Sequence, residues 1–203
     1  LAGAPLDGLH LTMMVAQTLR HVGTEQQKQS ILPGILAGET LISLGYSEPQ
    51  AGSDVAAVST RAERRGNDWV INGQKVFTTM AHEAQYVFLL TRTDPGVPKH
   101  RGLTTFLVPL DAPGISIQPI HTLGGERTNA TFYADVVVPD SARVGEVDGG
   151  WDVMNVALTF ERAGGGGREG ERAVMRFTEW ARSASGANGE RRIDDPSVRA
   201  AIA

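Results

Sequence analysis

Apolar positions recur at helical spacing over residues 9–21, at Leu11, Met14, Val15 and Leu19, which predicts an amphipathic helix closed by Gly23. A second helix is predicted to open at Thr24, where Gln27 stands three residues on in the capping-box arrangement. It runs towards Ile35-Leu36, with an interruption expected at Pro33-Gly34. From residue 41 the period changes. The run Leu41–Leu44, the alternating stretch Val58–Arg65, and the stretches Tyr86–Thr93, Leu103–Leu110, Ile115–Ile120 and Thr131–Val138 read as strands. Trp69–Ile71 and Gln74–Thr78 flank Asn72-Gly73, and a hairpin is expected there because Asn-Gly readily adopts the positive φ of a type I′ turn. Short turn clusters at Asp94–Gly96, Asp111–Gly114 and Gly124-Gly125 then imply an antiparallel sandwich or barrel over approximately 41–148.

Beyond Gly149-Gly150 the helical period returns near Trp151. Val153, Val156, Ala157 and Phe160 share one face, and Met154, Leu158 and Glu161 lie along an adjacent one. Helical patterning resumes over Glu169–Arg182, a polar loop follows from Ser183 to Gly189, and Pro196 opens a last short helix. The expected class is α+β, with helical regions at 1–40 and 149–203 flanking a β domain.

Composition narrows the function. The 203 residues are 41% hydrophobic, enough for the core of one full domain or two partial ones, and no apolar run approaches the roughly 20 residues of a membrane span. The net charge is −4 and no basic stripe stands out, which argues against nucleic acid as a partner. There is no cysteine, so disulfides and thiolate metal sites are excluded, and Asp135, Asp140 and Glu146 are too scattered for a metal site. Met13, Met14 and His10 read as core and surface filler rather than ligands. Leu1–Ala4 lacks the charged region of a leader, so a cytoplasmic protein is expected.

Two glycine-bearing stretches invite a chemical reading. Gly165–Gly170 satisfies the letters of the dinucleotide fingerprint G-x-G-x-x-G, but a helical pattern precedes it where the fingerprint needs a strand. A helix kink or close packing explains it better. The second stretch, Gly45-Tyr46-Ser47-Glu48-Pro49-Gln50-Ala51-Gly52-Ser53-Asp54, follows a strand-like run and turns through Pro49 and Gly52. By itself it is either an ordinary tight turn or a loop whose hydroxyls and N–H groups meet a polar, planar or anionic ligand.

That second stretch resembles the flavin-loop signature of the acyl-CoA dehydrogenases, and Ile71-Asn72-Gly73-Gln74-Lys75-Val76-Phe77-Thr78-Thr79 resembles the same family's second flavin segment. The resemblance runs from about Thr24 to about Arg172. It implies an acyl-CoA dehydrogenase-like fold with a β middle domain. Members of the family are about twice this long, so the chain is expected to be that middle domain with partial flanks. The resemblance further implies FAD as cofactor, an acyl-CoA thioester as substrate, and an electron-transfer flavoprotein as electron acceptor. A homodimer or tetramer is expected, with unequal heterotetramers known in the family.

By the same resemblance, Leu44, Tyr46 and Ser47 would lie along the flavin ring edge, with Gly52 and Ser53 at the close approach. Phe77 would pack on the ring, and Thr78 and Thr79 would complete the segment, Thr79 near N5 or O4. Tyr46 is bulkier than the usual aliphatic residue, and Phe77 stands where Trp is common. Read without the resemblance, Phe77 is a core aromatic and Thr79 a residue of high strand propensity.

Glu161 is the candidate base. Removing the weakly acidic α-proton of a thioester needs a carboxylate whose pKa is raised by an apolar, desolvated setting, and Glu161 shares its helical face with Met154 and Leu158. One branch of the family carries its catalytic Glu at this position, in a pair like Glu161-Arg162; another carries it in the C-terminal domain. Ser53 and the segment Thr159–Arg162 would shape the thioester end of the pocket, with Arg162 either bracing the site or touching substrate. His100-Arg101 resembles the loop that approaches the CoA phosphates, and is equally a solvated loop. Two rival functions stand beside desaturation: an acyl-CoA oxidase or other flavin oxidase or monooxygenase of the same fold, and a non-catalytic subunit of a heteromeric dehydrogenase.

Overall fold

The computed structural model describes residues 9–124, 127–164, 167–186 and 189–202, without side-chain detail over 162–173. The chain forms two compact units, divided between Ala163 and Gly164. In the first, helices α1 (Leu9–Val22) and α2 (Glu25–Ala37) precede strands β1 (Ile42–Gly45), β2 (Arg61–Arg65), β3 (Asp68–Lys75), β4 (Tyr86–Arg92), β5 (Leu103–Pro109), β6 (Ile115–His121), β7 (Arg127–Pro139) and β8 (Arg143–Val144). Helix α3 (Gly150–Gly164) follows. The second unit contains α4 (Gly167–Ser183) and α5 (Pro196–Ile202), with Ala181 buried and the Phe177 and Trp180 rings stacked 5.3 Å apart.

The predicted capping box is present: Gln27 N–H donates to the Thr24 hydroxyl, and the Gln27 side chain accepts from the Thr24 N–H. The same Gln27 amide donates to the carbonyls of Ser141 and Arg143, tying α2 to the turn before β8. The interruption expected at Pro33-Gly34 does not occur. Helix α2 runs through it to a left-handed Gly38. The carbonyl that Pro33 leaves without an N–H partner is that of Gln29, at an exposed position where solvent can reach it.

The β domain differs from the expected antiparallel sandwich or barrel. Its eight strands form one mixed sheet with path order β6-β7-β3-β2-β4-β5-β8, while β1 pairs β4 in parallel and β2 meets β4 in parallel at Arg61–Arg92. The sheet does not close, because β6 and β8 end the path. The hairpin expected at Asn72-Gly73 is also absent: β3 runs straight through both residues. The hairpin lies one turn earlier, where Arg65 and Asp68 pair across Gly66-Asn67. Asn72 instead faces a bulge in β7, exchanging hydrogen bonds with Asp135, itself at φ 50. Gly73 is needed there because a Cβ would meet the Thr60 Cα at 2.7 Å.

The sheet's two faces have separate cores. Met14, Val15 and Leu19 of α1, Ile31 and Ile35 of α2, and Val153 and Ala157 of α3 pack on Ile42, Phe88 and Leu107. Trp69, Ile71, Val87, Leu89, Phe106, Val108 and Val136 fill the other side. Strand β4 is buried on both faces, which accounts for its unbroken apolar run.

Candidate active site

Strand β1 ends at Gly45, where a Cβ would stand 2.7 Å from the Leu89 side chain, so any larger residue would make the buried Leu89 and Val87 side chains move aside. The chain then turns tightly, with Glu48 and Ala51 exchanging both backbone hydrogen bonds. The predicted second segment sits directly beside it. Val76 N–H donates to the Ser47 carbonyl at 2.9 Å, and the Lys75 ammonium donates to the Tyr46 carbonyl at 3.2 Å. Lys75 also pairs with Glu48 at 2.9 Å, and both side chains are sealed from solvent. The two Glu48 oxygens further accept from the N–H groups of Ser59 and Thr60 and the Ser59 hydroxyl.

Burial opposes both charges of this pair. For Glu48 the attraction and hydrogen bond of Lys75, with the two amides, outweigh burial and hold the carboxyl at about 2. For Lys75 burial prevails over the pull of Glu48, and its pKa falls to about 8. At neutral pH both groups are charged.

Past Lys75 the chain leaves the sheet in a strained turn. Phe77 and Met80 adopt φ of 56° and 63°, the left-handed region that side chains avoid. Phe77 is also 63% exposed, a large aromatic held out of the core. The turn is clamped from below by Asn129, which exchanges two hydrogen bonds with the Thr78 backbone. The Asn129 amide also meets His82 Nδ1 at 3.1 Å, and its oxygen accepts from Arg127. The Thr78 side chain is fully buried, its hydroxyl against that of Thr131, so only its backbone faces the turn. Thr79 is half-buried and Leu44 and Ser47 likewise, while Gly52 and Ser53 are exposed, with open space where a Gly52 Cβ would project.

The cationic loop is drawn to the same edge. Lys99 binds the Asp54 carboxylate at 2.6 Å, and Arg92 clamps both loops by donating to the carbonyls of Lys99, Ala56 and Val58. His100 lies against the Trp151 ring at 5.8 Å in the first turn of α3; His100 and Arg101 are exposed. Along α3, Met154 is buried and Leu158 is half-buried on the same cluster that Tyr46 packs against, but Glu161 in the helix's later turns is exposed. The desolvated setting expected for Glu161 is thus occupied by the residues one and two turns before it. Thr159 is exposed and bonds back to the Asn155 carbonyl. Arg162 belongs to α3, but its side chain lies outside the described residues, as do Gly165 and Gly166 of the glycine run. Among the described residues, no group of three or more His, Asp or Glu side chains could hold a metal ion, and no helix is long and apolar enough to cross a membrane.

Residues 43–136 match the family model described as "Acyl-CoA dehydrogenase, middle domain". Acyl-CoA dehydrogenase FadE26 of Mycobacterium tuberculosis is 42% identical over 207 residues, covering 100% of this chain and 52% of that protein. The chain belongs to the acyl-CoA dehydrogenase family. It spans about half the length of the curated relatives it matches. Among solved structures, the "Tcur3481-Tcur3483 steroid ACAD G363A variant" is 43% identical with a TM-score of 0.85, covering 96% of this chain and 50% of that one. The ChsE4-ChsE5 complex from Mycobacterium tuberculosis is 41% identical with a TM-score of 0.82, covering 99% and 52%.

In this acyl-CoA dehydrogenase domain, Lys75, Arg92 and Asn129 build the site without having been singled out from the sequence. Lys75 alone left a signal. It shares the parity of Trp69, Ile71 and Gly73 along β3, which points it inward, and a buried Lys needs a partner.

Proposed function

We propose that the chain carries the flavin-binding middle portion of an FAD-dependent acyl-CoA dehydrogenase that desaturates an acyl-CoA thioester between its α and β carbons. The observation that carries this reading is the junction of the two loops. The Val76–Ser47 hydrogen bond and the Lys75–Glu48 pair bring Tyr46, Ser47, Phe77 and Thr79 to one edge, leaving an exposed aromatic on a strained backbone. Backbone strain and an exposed Phe persist together where a ligand repays both. These residues fit an isoalloxazine: Phe77 offers a stacking face, Thr79 a hydroxyl, and the open surface over Gly52 admits close approach. FAD bound there would supply the hydride acceptor.

Glu161 takes the α-proton. It stands beyond Leu158 on the helix that also carries Trp151. Exposed Arg101, with the His100 ring beside it as a hydrogen-bonding group, offers an approach for the CoA phosphates. Likeness to a protein titled a steroid ACAD favours a bulky, steroid-derived acyl group. Two of the solved neighbours are named as two-component assemblies, which favours pairing with a second, similar subunit over a homo-oligomer. Electron-transfer flavoprotein would reoxidise the flavin.

Anaerobic titration of the full-length protein with a panel of straight-chain, branched and steroid-side-chain acyl-CoAs tests this. A flavin absorbance band that bleaches with one class supports the reading and names the substrate. A protein that takes up no flavin on reconstitution overturns it.

A further inference from the structure

Among the described residues, four buried side-chain oxygens have no hydrogen-bond partner, those of Ser43, Tyr46, Thr105 and Thr128. Tyr46 differs from the others in what surrounds it. Its ring lies 6.3 Å from that of Phe88 and packs on the cluster of Ala51, Leu90 and Met154, on which Leu158 of α3 also packs. Phe would fill that space equally well without the roughly 1–3 kcal/mol that a stranded buried hydroxyl costs. Glu161 stands three residues beyond Leu158 on α3, and its negative charge acts on the Tyr46 hydroxyl. Burial first and that charge second push the phenol's pKa upward, so the hydroxyl remains a donor throughout the physiological range. The Glu161 carboxylate has no hydrogen bond or ion pair within the described residues. A buried donor without an acceptor therefore lies in the field of an exposed carboxylate that no described protein group holds.

We propose that Tyr46 is a positioning residue for Glu161, its hydroxyl donating to one carboxylate oxygen when the Glu161 side chain turns in over Leu158. The inference rests on the reading of Glu161 as the base. The hydrogen bond holds one oxygen and leaves the other free to receive the substrate's α-proton. It also favours the ionised carboxylate, which keeps an otherwise desolvated base available. Other charges near the pair are committed or accountable. Lys75 touches the Tyr46 carbonyl but is paired with Glu48; β4 presents Phe88; α1 brings His21, whose ring lies 5.2 Å from Phe160. The Arg162 side chain lies outside the described residues.

The test is the pH dependence of kcat/KM for the full-length, flavin-loaded enzyme. Tyr46→Phe, which keeps the ring and the backbone at the flavin edge and removes only the hydroxyl, is expected to move the acid limb up by about one pH unit and lower kcat about tenfold below it, with KM held when rates are taken per bound flavin. Replacing Tyr46 by 3-fluorotyrosine, a stronger donor of nearly the same shape, is expected to move the limb down. His21→Gln is expected to leave it in place; a displaced limb there would assign the limb to His21 and overturn the proposal. A limb unmoved by both changes at Tyr46 also overturns it, as does a rise in KM alone, which would make Tyr46 a substrate contact. Glu161→Gln separates the two layers. If it retains turnover, the base reading fails; if it is inactive while Tyr46→Phe is silent, only the pairing fails.

Discussion

Lys75 Nζ lies 2.9 Å from Glu48 Oε1, with the two side chains 0% and 3% exposed, and this buried pair holds the loop at residues 45–54 and the segment after β3 against each other. Removing one member strands the other charge. Lys75→Met is expected to destabilise the protein by about 3–5 kcal/mol, and to loosen the Tyr46 backbone that Lys75 also holds. Changing both residues to apolar ones would not restore the loss, because the Ser59 and Thr60 amides would still lack their acceptor. Urea unfolding of the single and double variants, with flavin content measured alongside, decides this.

Acid should act on the same pair. Glu48 is held at about 2 against an ordinary value of 4.5. Asp140 is also held at about 2 against 3.8, by hydrogen bonds from Arg143 and then Trp69. Between these values the unfolded chain binds more protons than the folded one. Their stabilisation is therefore complete above about pH 4.5 and is lost as pH falls towards 2. Urea midpoints measured across pH 2–6 should fall steeply on the acid side. Asp140→Ala should flatten that fall, and an unchanged slope would remove Asp140 from the account.

Phe77 should show opposite effects on stability and binding. Phe77→Gly relieves the left-handed backbone, so the flavin-free protein should be as stable as the parent or more stable by up to about 1 kcal/mol. Flavin affinity should fall. Thermal unfolding with and without added FAD compares the two; a variant that loses stability and keeps its flavin would refute the ligand role of Phe77.

Asn129 secures the turn from the neighbouring strand. Asn129→Ala leaves the buried Thr78 carbonyl short of a donor, at a cost of about 1–3 kcal/mol. Loss of flavin beyond what that destabilisation explains is expected, since the Phe77–Met80 turn would lose its support. Flavin retention at a temperature where the variant remains folded is the measurement.

Local signals carried the fold well. The spacing of Met14, Val15 and Leu19 and the Thr24–Gln27 box marked both first helices, because each records contacts within a few residues. Asn72-Gly73 misled because the same dipeptide suits a hairpin turn and a strand facing a bulge. The choice lies with Asp135 and Thr60, which the chain order keeps apart. In the site, the two motifs marked the loops, whereas Arg92 and Asn129 act on backbone atoms far along the chain. Phe77 is expected at a flavin by family resemblance, whereas residue pattern by itself would also allow a core aromatic; its exposure goes with a backbone angle that no pattern of side chains encodes.

The Thr12 hydroxyl of α1 accepts from the Ile42 N–H at 2.9 Å and donates to the Ile42 carbonyl at 3.4 Å. Among the described residues strand β1 pairs only with β4, so its outer side would otherwise offer bare peptide groups to any passing strand. A side chain on a helix thus blocks a growing sheet. Cutting the domain out at residue 41, where family boundaries invite the cut, would unmask that side together with the apolar faces of Ile42 and Phe88, and the shortened domain would be expected to self-associate edge to edge.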